Sequence, residues 1–146
     1  MLNALGEPRS MPPHLPAGLR LGDLQLRSVL GTGGSAITYL AFDFRRQCHV
    51  ALKEYFPRRW AGREADLMVR PSTAGFAPLF SGGLDRFIAE AEILARLQLP
   101  GIVRVERVFA SMGTGYIQLS YVEGPTLAEW LARSSPRPTQ FEMDGF

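Results

Sequence analysis

Leu30-Gly31-Thr32-Gly33-Gly34-Ser35-Ala36-Ile37-Thr38, with Val50-Ala51-Leu52-Lys53 downstream of it, is the stretch on which the fold turns. Lys53 is the only lysine, against fifteen arginines among the sixteen basic residues. A compact ammonium and a planar guanidinium are not interchangeable at a tight phosphate site. A lone lysine below a glycine-rich run therefore points to a nucleotide-phosphate site. Glycine-rich runs carry several meanings, and local context separates them. A Walker loop ends in Gly-Lys-Ser/Thr, which is missing here. A dinucleotide loop opens a helix, whereas residues 37–42 are rich in β-branched and aromatic residues and read as a strand. Strand, glycine loop, strand describes a hairpin whose bare backbone amides approach an anion. The glycines taken alone fit an ordinary hairpin turn equally well.

Working outward, residues 24–30, 37–42 and 48–54 read as three strands, with a polar turn at 43–47. Residues 55–83 carry Pro57, Pro71, Pro78 and Gly82-Gly83, which suits an irregular insert with at most short helical pieces. From residue 84 to 99 the apolar period becomes helical and is ended by Pro100-Gly101. Residues 102–109 and 116–121 read as a hairpin joined through Met112-Gly113-Thr114-Gly115. A connector at 123–125 follows, and Thr126 with Glu129 caps a short helix over 127–133. Residues 1–18 are proline-rich and read as a flexible lead-in; 134–146 read as a disordered tail. The expected domain is residues 19–122, with 123–133 starting the next unit.

The helix supplies independent chemistry. Phe87, Ala91, Leu94 and Leu97 recur three and four apart and define its expected buried face. Glu90 falls on that stripe, while Glu92 points toward solvent. A carboxylate buried without a partner costs several kcal/mol, so Glu90 calls for a cation. Lys53 is the lysine available, with Arg104 and Arg107 as competitors; a stripe edge where Glu90 reaches water is the alternative.

Composition narrows the classes. A chain of 146 residues, 46% apolar and 21% charged, fits one soluble domain with a small core. A net charge of +2 and arginines scattered along the chain, Arg63 among them, argue against nucleic acid as a partner. Cys48, the sole cysteine, permits neither an internal disulfide nor a cysteine metal site. His14 and His49 lack ligand spacing. No apolar run reaches the roughly 20 residues of a membrane span, and residues 1–9 lack a secretory pattern. A cytoplasmic setting is expected.

With these residues in view, the chain resembles the small, N-terminal lobe of the eukaryotic-like bacterial serine/threonine protein kinases. Five ordered motifs carry the likeness: Leu30-Gly31-Thr32-Gly33-Gly34 with 37–41, Val50-Ala51-Leu52-Lys53-Glu54-Tyr55-Phe56-Pro57, Arg86-Phe87-Ile88-Ala89-Glu90-Ala91, Pro100-Gly101-Ile102-Val103, and Tyr116-Ile117 leading to Tyr121-Val122-Glu123-Gly124. The likeness covers about residues 19–133. It implies an α+β fold: a five-stranded antiparallel sheet with one long helix, stopping before the large lobe. It implies ATP as the ligand. Gly31, Gly33 and Gly34 would hold its phosphates, with Thr32, Ser35 and Ala36 completing the loop. Lys53 would contact the α- and β-phosphates while pairing with Glu90. Leu30, Thr38 and Ala51 would line the adenine pocket, Leu119 would be the gatekeeper, and Ser120 to Val122 the hinge. Leu94 would join the hydrophobic column between lobes.

Ala36 replaces the third glycine of the family loop, Ser35 its usual aromatic tip, Leu99 a common histidine, and Ser120 a common hinge glutamate. The His-Arg-Asp catalytic loop and Asp-Phe-Gly do not occur in these residues, so the family's magnesium ligands and catalytic base are missing. The expectation is a kinase small lobe that is inactive alone. Two alternatives stand beside it: a non-catalytic interaction module whose apolar underside, around Leu94 and Leu119, takes a protein partner, and a truncated gene product.

Overall fold

A computed structural model describes residues 12–97 and 103–121. In chain order these form β1 (Arg20–Leu21), β2 (Leu24–Thr32), β3 (Ala36–Asp43), β4 (Cys48–Tyr55), β5 (Ala61–Arg63), β6 (Val69–Pro71), α1 (Ala77–Arg96), β7 (Val105–Ser111) and β8 (Thr114–Ser120). Six strands make one antiparallel sheet in the order β1-β2-β3-β4-β8-β7, and β5 with β6 forms a separate hairpin. The five long strands of the sheet are those the sequence predicts; β1 adds a two-residue edge.

Strand alternation explains most of this sheet. Ile37, Tyr39, Ala41 and Asp43 of β3 are buried, and their neighbours are half-buried, as a pleated strand with one covered face requires. β4 differs: Val50 to Tyr55 are all buried, so both of its faces are covered. On one face, Ala51, Ile117 and Leu119 pack with Ala91 and Phe87 of α1. On the other, Val50, Leu52, Tyr39 and Tyr116 pack with Leu15, Ala61 and Val69. Leu15 and the β5–β6 hairpin thus make a third layer. The β7–β8 turn needs only Met112 and Gly113, with φ of 51° and 76°, the left-handed pair of a two-residue hairpin matched to strand twist.

Three expectations are corrected. The stretch 55–83 is not irregular throughout, because it contains the β5–β6 hairpin. The helix begins at Ala77 rather than at residue 84. Pro78 sits in its first turn, where no amide hydrogen is needed, and Gly82-Gly83 lie inside it. Gly83 has a packing reason: a Cβ there would stand 2.1 Å from Tyr55 Oη. Third, the buried stripe runs Phe80, Leu84, Phe87, Ala91, and does not continue to Leu94 and Leu97, which are 46% and 53% exposed. The expectations for residues 1–11, Val122, 123–133 and 134–146 lie outside the described residues.

Candidate functional site

Sheet register assembles the site. Gly31 of β2 faces Thr38 of β3, Thr38 faces Lys53 of β4, and Lys53 faces Ile117 of β8. Strands lie about 5 Å apart, so Gly31 and Lys53 stand about 10 Å from one another across one row. In the neighbouring row Ala51 faces Leu119, and both are buried. Thr38 is half-buried, whereas Leu30 is exposed.

The glycine loop between β2 and β3 is closed by Gly33 N–H donating to Ala36 O at 2.8 Å. Its tip is tied down from below: Phe56 N–H donates to Ser35 O at 2.8 Å and Arg58 N–H to Gly34 O at 3.2 Å. A Cβ placed on Gly31 or Gly34 would meet nothing within 4 Å, and neither has a positive φ. The fold itself makes no use of glycine at these two positions. Bare backbone there leaves open space against the loop, which fits an anionic ligand lying on it.

Beneath the loop, Lys53 is buried at 8% exposure. Lys53, Phe87, Glu90, Ala91, Leu94 and Leu119 line a cavity of about 30 Å³ together with Val105 and Ile117. That volume holds a water rather than a nucleotide base, so a base would lie outside it. Lys53, Glu90 and Leu119 are thereby brought to one place. Glu90, however, is exposed and takes part in none of the ion pairs within 4.0 Å among the described residues. Its position explains this. Three residues beyond Phe87 is about 60° short of a full turn, off the centre of the Phe80–Ala91 stripe. Water reaches the carboxylate, and the burial argument for an obligatory cation does not hold. Arg104 is exposed and Arg107 lies over the Phe109 ring at 4.5 Å, so neither lines this cavity. At the end of β8, Ser120 is already engaged: its N–H donates to Arg104 O, and its Oγ accepts from Arg104 N–H, both at 2.9 Å.

A buried charge lies one residue along, at Glu54, and sequence reasoning missed it. Its side chain and that of Arg63 are fully enclosed, with Nη2 donating to Oε1 at 2.5 Å. Tyr39 Oη donates to the same oxygen at 2.8 Å and Tyr116 Oη to Oε2 at 2.5 Å. Arg63 also donates from Nε to Pro13 O at 2.8 Å and from Nη1 to Leu67 O at 2.9 Å. Burial, followed by the negative charge of Glu54, holds the Tyr39 and Tyr116 hydroxyls well above the usual phenol range. Arg63 is therefore not one of a set of scattered surface arginines. The signal was present: Val50, Leu52 and Glu54 share one strand face.

A glycine-looped antiparallel sheet with a buried lysine opposite a long helix is the arrangement found in part of bacterial serine/threonine protein kinase domains, and this chain shares that fold. The chain is 33% identical over 133 residues to the serine/threonine-protein kinase PknB of Mycobacterium leprae, covering 88% of this chain and 18% of that protein. The apo form of PpkA-294 superposes with a TM-score of 0.76 at 34% identity, over 84% of this chain and 44% of that one. The PknI kinase domain of Mycobacterium tuberculosis shares the fold, with a TM-score of 0.53 at 21% identity over 87% of this chain and 44% of that one. The chain thus spans less than half the length of each. No protein-family model matches it. Among the described residues no helix is long and apolar enough to cross a membrane.

Proposed function

We propose that the chain is the ATP-binding small lobe of a serine/threonine protein kinase. Gly31, Gly33 and Gly34 of the loop lie against the phosphates, Lys53 contacts the α- and β-phosphates, and Glu90 pairs with Lys53 when nucleotide is bound. Leu30, Thr38, Ala51 and Leu119 bound the adenine, and the backbone beyond Ser120 carries its edge. The observation behind this reading is the row Gly31–Thr38–Lys53, with Glu90 on the rim of the cavity that Lys53 lines. ATP supplies the phosphoryl group; these residues bind and orient it. Magnesium is a different matter. Among the described residues no group of three His, Cys, Asp or Glu side chains could hold a metal ion, so no step through it follows from this chain. With the catalytic-loop and Asp-Phe-Gly motifs outside these residues, the 146-residue chain binds nucleotide without transferring phosphate.

The test is thermal unfolding with and without ATP. The parent chain gains stability with ATP, Lys53→Met does not, and Arg27→Met, an exposed arginine on β2, behaves like the parent. Equal responses in all three would sink the assignment. Magnesium-dependent phosphorylation by the purified chain would overturn its inactivity. A second reading, an interaction module, draws on Ile93, Leu94 and Leu97, which are 56%, 46% and 53% exposed along one end of α1. Its test is concentration-dependent association, which a monodisperse monomer at high concentration would rule out.

A further inference from the structure

The helix that carries Glu90 is fixed to the lysine-bearing strand near its start, through Tyr55, and again through Ala91, which is buried against Ala51, Ile117 and Leu119. Tyr55 stands two residues beyond Lys53 on β4, on the same face by strand alternation. Its ring packs against Phe80 and Phe87 of α1, with centroids 5.2 and 5.5 Å away. Its hydroxyl donates to Phe80 O at 3.0 Å. The ring closes over Gly83, where any Cβ would stand 2.1 Å from Oη, 3.1 Å from Cζ and 3.4 Å from Cε1. Tyr55 is almost wholly enclosed, at 3% exposure. Beyond Ala91, Ile93, Leu94 and Leu97 are all about half exposed. Glu90 lies between the Tyr55 contact and that exposed end.

We propose that Tyr55 and the Gly83 notch are a positioning pair that sets the distance between Glu90 and Lys53. This deepens the nucleotide-site reading and rests on it for its functional consequence. Tyr55 fixes α1 to the strand that bears Lys53, and Glu90 follows Gly83 by about two helical turns. A displacement of α1 at the notch is therefore carried along the helix to Glu90. Ordinary contact begins near 3.4 Å, so an added methyl group at position 83 requires a shift of about 1.3 Å between the enclosed tyrosine ring and the helix, the difference between 3.4 and 2.1 Å. Removing the tyrosine hydroxyl takes away the atom that clashes and leaves 3.1 Å as the nearest approach. The two positions are coupled with inverted sign.

The lone lysine makes the geometry directly readable. A zero-length carbodiimide joins Lys53 Nζ to a carboxylate within reach, forming an amide and releasing the activated oxygen as a urea; peptide mass spectrometry then quantifies the Lys53–Glu90 link, with Glu90→Gln as blank. Gly83→Ala lowers the yield at least threefold, Tyr55→Phe lowers it less, and Tyr55→Phe with Gly83→Ala recovers it toward the parent. If Gly83→Ala does not fold, the double variant, which lacks the clash, and Tyr55→Phe still decide. A merely structural role moves the urea midpoints and leaves the yield among folded molecules unchanged. That outcome, a double variant no better than Gly83→Ala alone, or no link in the parent chain would overturn the proposal. A separate titration with ATP reads the consequence: affinity falls about tenfold in Gly83→Ala, about 1.4 kcal/mol, and recovers in the double variant. A parent chain that yields the link pattern without binding ATP refutes the nucleotide reading and leaves the latch standing.

Discussion

Replacing Arg63 with methionine isolates the buried charge of Glu54. Both side chains are fully enclosed, so no water replaces the lost guanidinium. The Tyr39 and Tyr116 hydroxyls still donate, yet two neutral donors do not neutralise a carboxylate. The carbonyls of Pro13 and Leu67 lose their donors as well. Breaking a buried pair from one side costs about 3–5 kcal/mol, a large share of the roughly 5–15 kcal/mol that holds a domain together. With a urea slope of about 2 kcal/mol per molar, the midpoint falls by about 2 M. Circular dichroism across a urea series reads it. Adding Glu54→Gln on the same background removes the stranded charge and restores at least half of the loss, since a neutral amide is far cheaper to bury. A midpoint shift under about 0.5 M, or no recovery on neutralising Glu54, would refute the reasoning.

Other outcomes follow from the same geometry. Tyr39 and Tyr116 are held protonated in the fold above the ordinary phenol value near 10. The folded state then binds more protons than the unfolded one, so their contribution is complete below pH 10 and declines as pH rises beyond it, by about 1.4 kcal/mol per unit for each tyrosine. Urea midpoints at pH 9 to 11 fall more steeply in the parent than in Tyr39→Phe or Tyr116→Phe; parallel slopes would count against the network. Asp43, 5% exposed, accepts from the Arg45 and Arg46 amides through Oδ1 and from Gln118 Nε2 through Oδ2. Asp43→Ala lowers stability by about 1–3 kcal/mol, and Asp43→Asn by less, as denaturant titration will show. Gly113→Ala costs about 1–3 kcal/mol, because φ is +76° and the new Cβ would stand 2.6 Å from Val69 O; an unchanged melting temperature would contradict this.

Alternation and loop chemistry made the sheet legible. Ile37, Tyr39 and Ala41 alternate as a half-covered strand does, and Met112-Gly113 marks the hairpin between β7 and β8. The insert was harder, since Ala61–Arg63 and Val69–Pro71 are too short for a period to register. Pro78 and Gly82-Gly83 read as breakers, yet proline is at home in a first helical turn and Gly83 makes room for Tyr55. Lys53 was legible as the exception in an arginine-rich chain. Glu90 lines the same cavity as Lys53 but is exposed rather than enclosed, because the buried stripe is centred on Phe80 and Leu84 rather than on Leu94. Glu54 escaped notice through its neighbour: a strand already explained by its lysine hid a second charge on the opposite face.

The Glu54–Arg63 pair constrains how this sequence can drift. Either change made first leaves an unmatched charge inside the protein, so most single steps away are removed by selection while the joint replacement is tolerated. Positions 54 and 63 should therefore vary together among descendants of this chain, although only Glu54 lies on a strand of the six-stranded sheet. The short hairpin around Arg63 is thereby tied to that sheet as a linked unit.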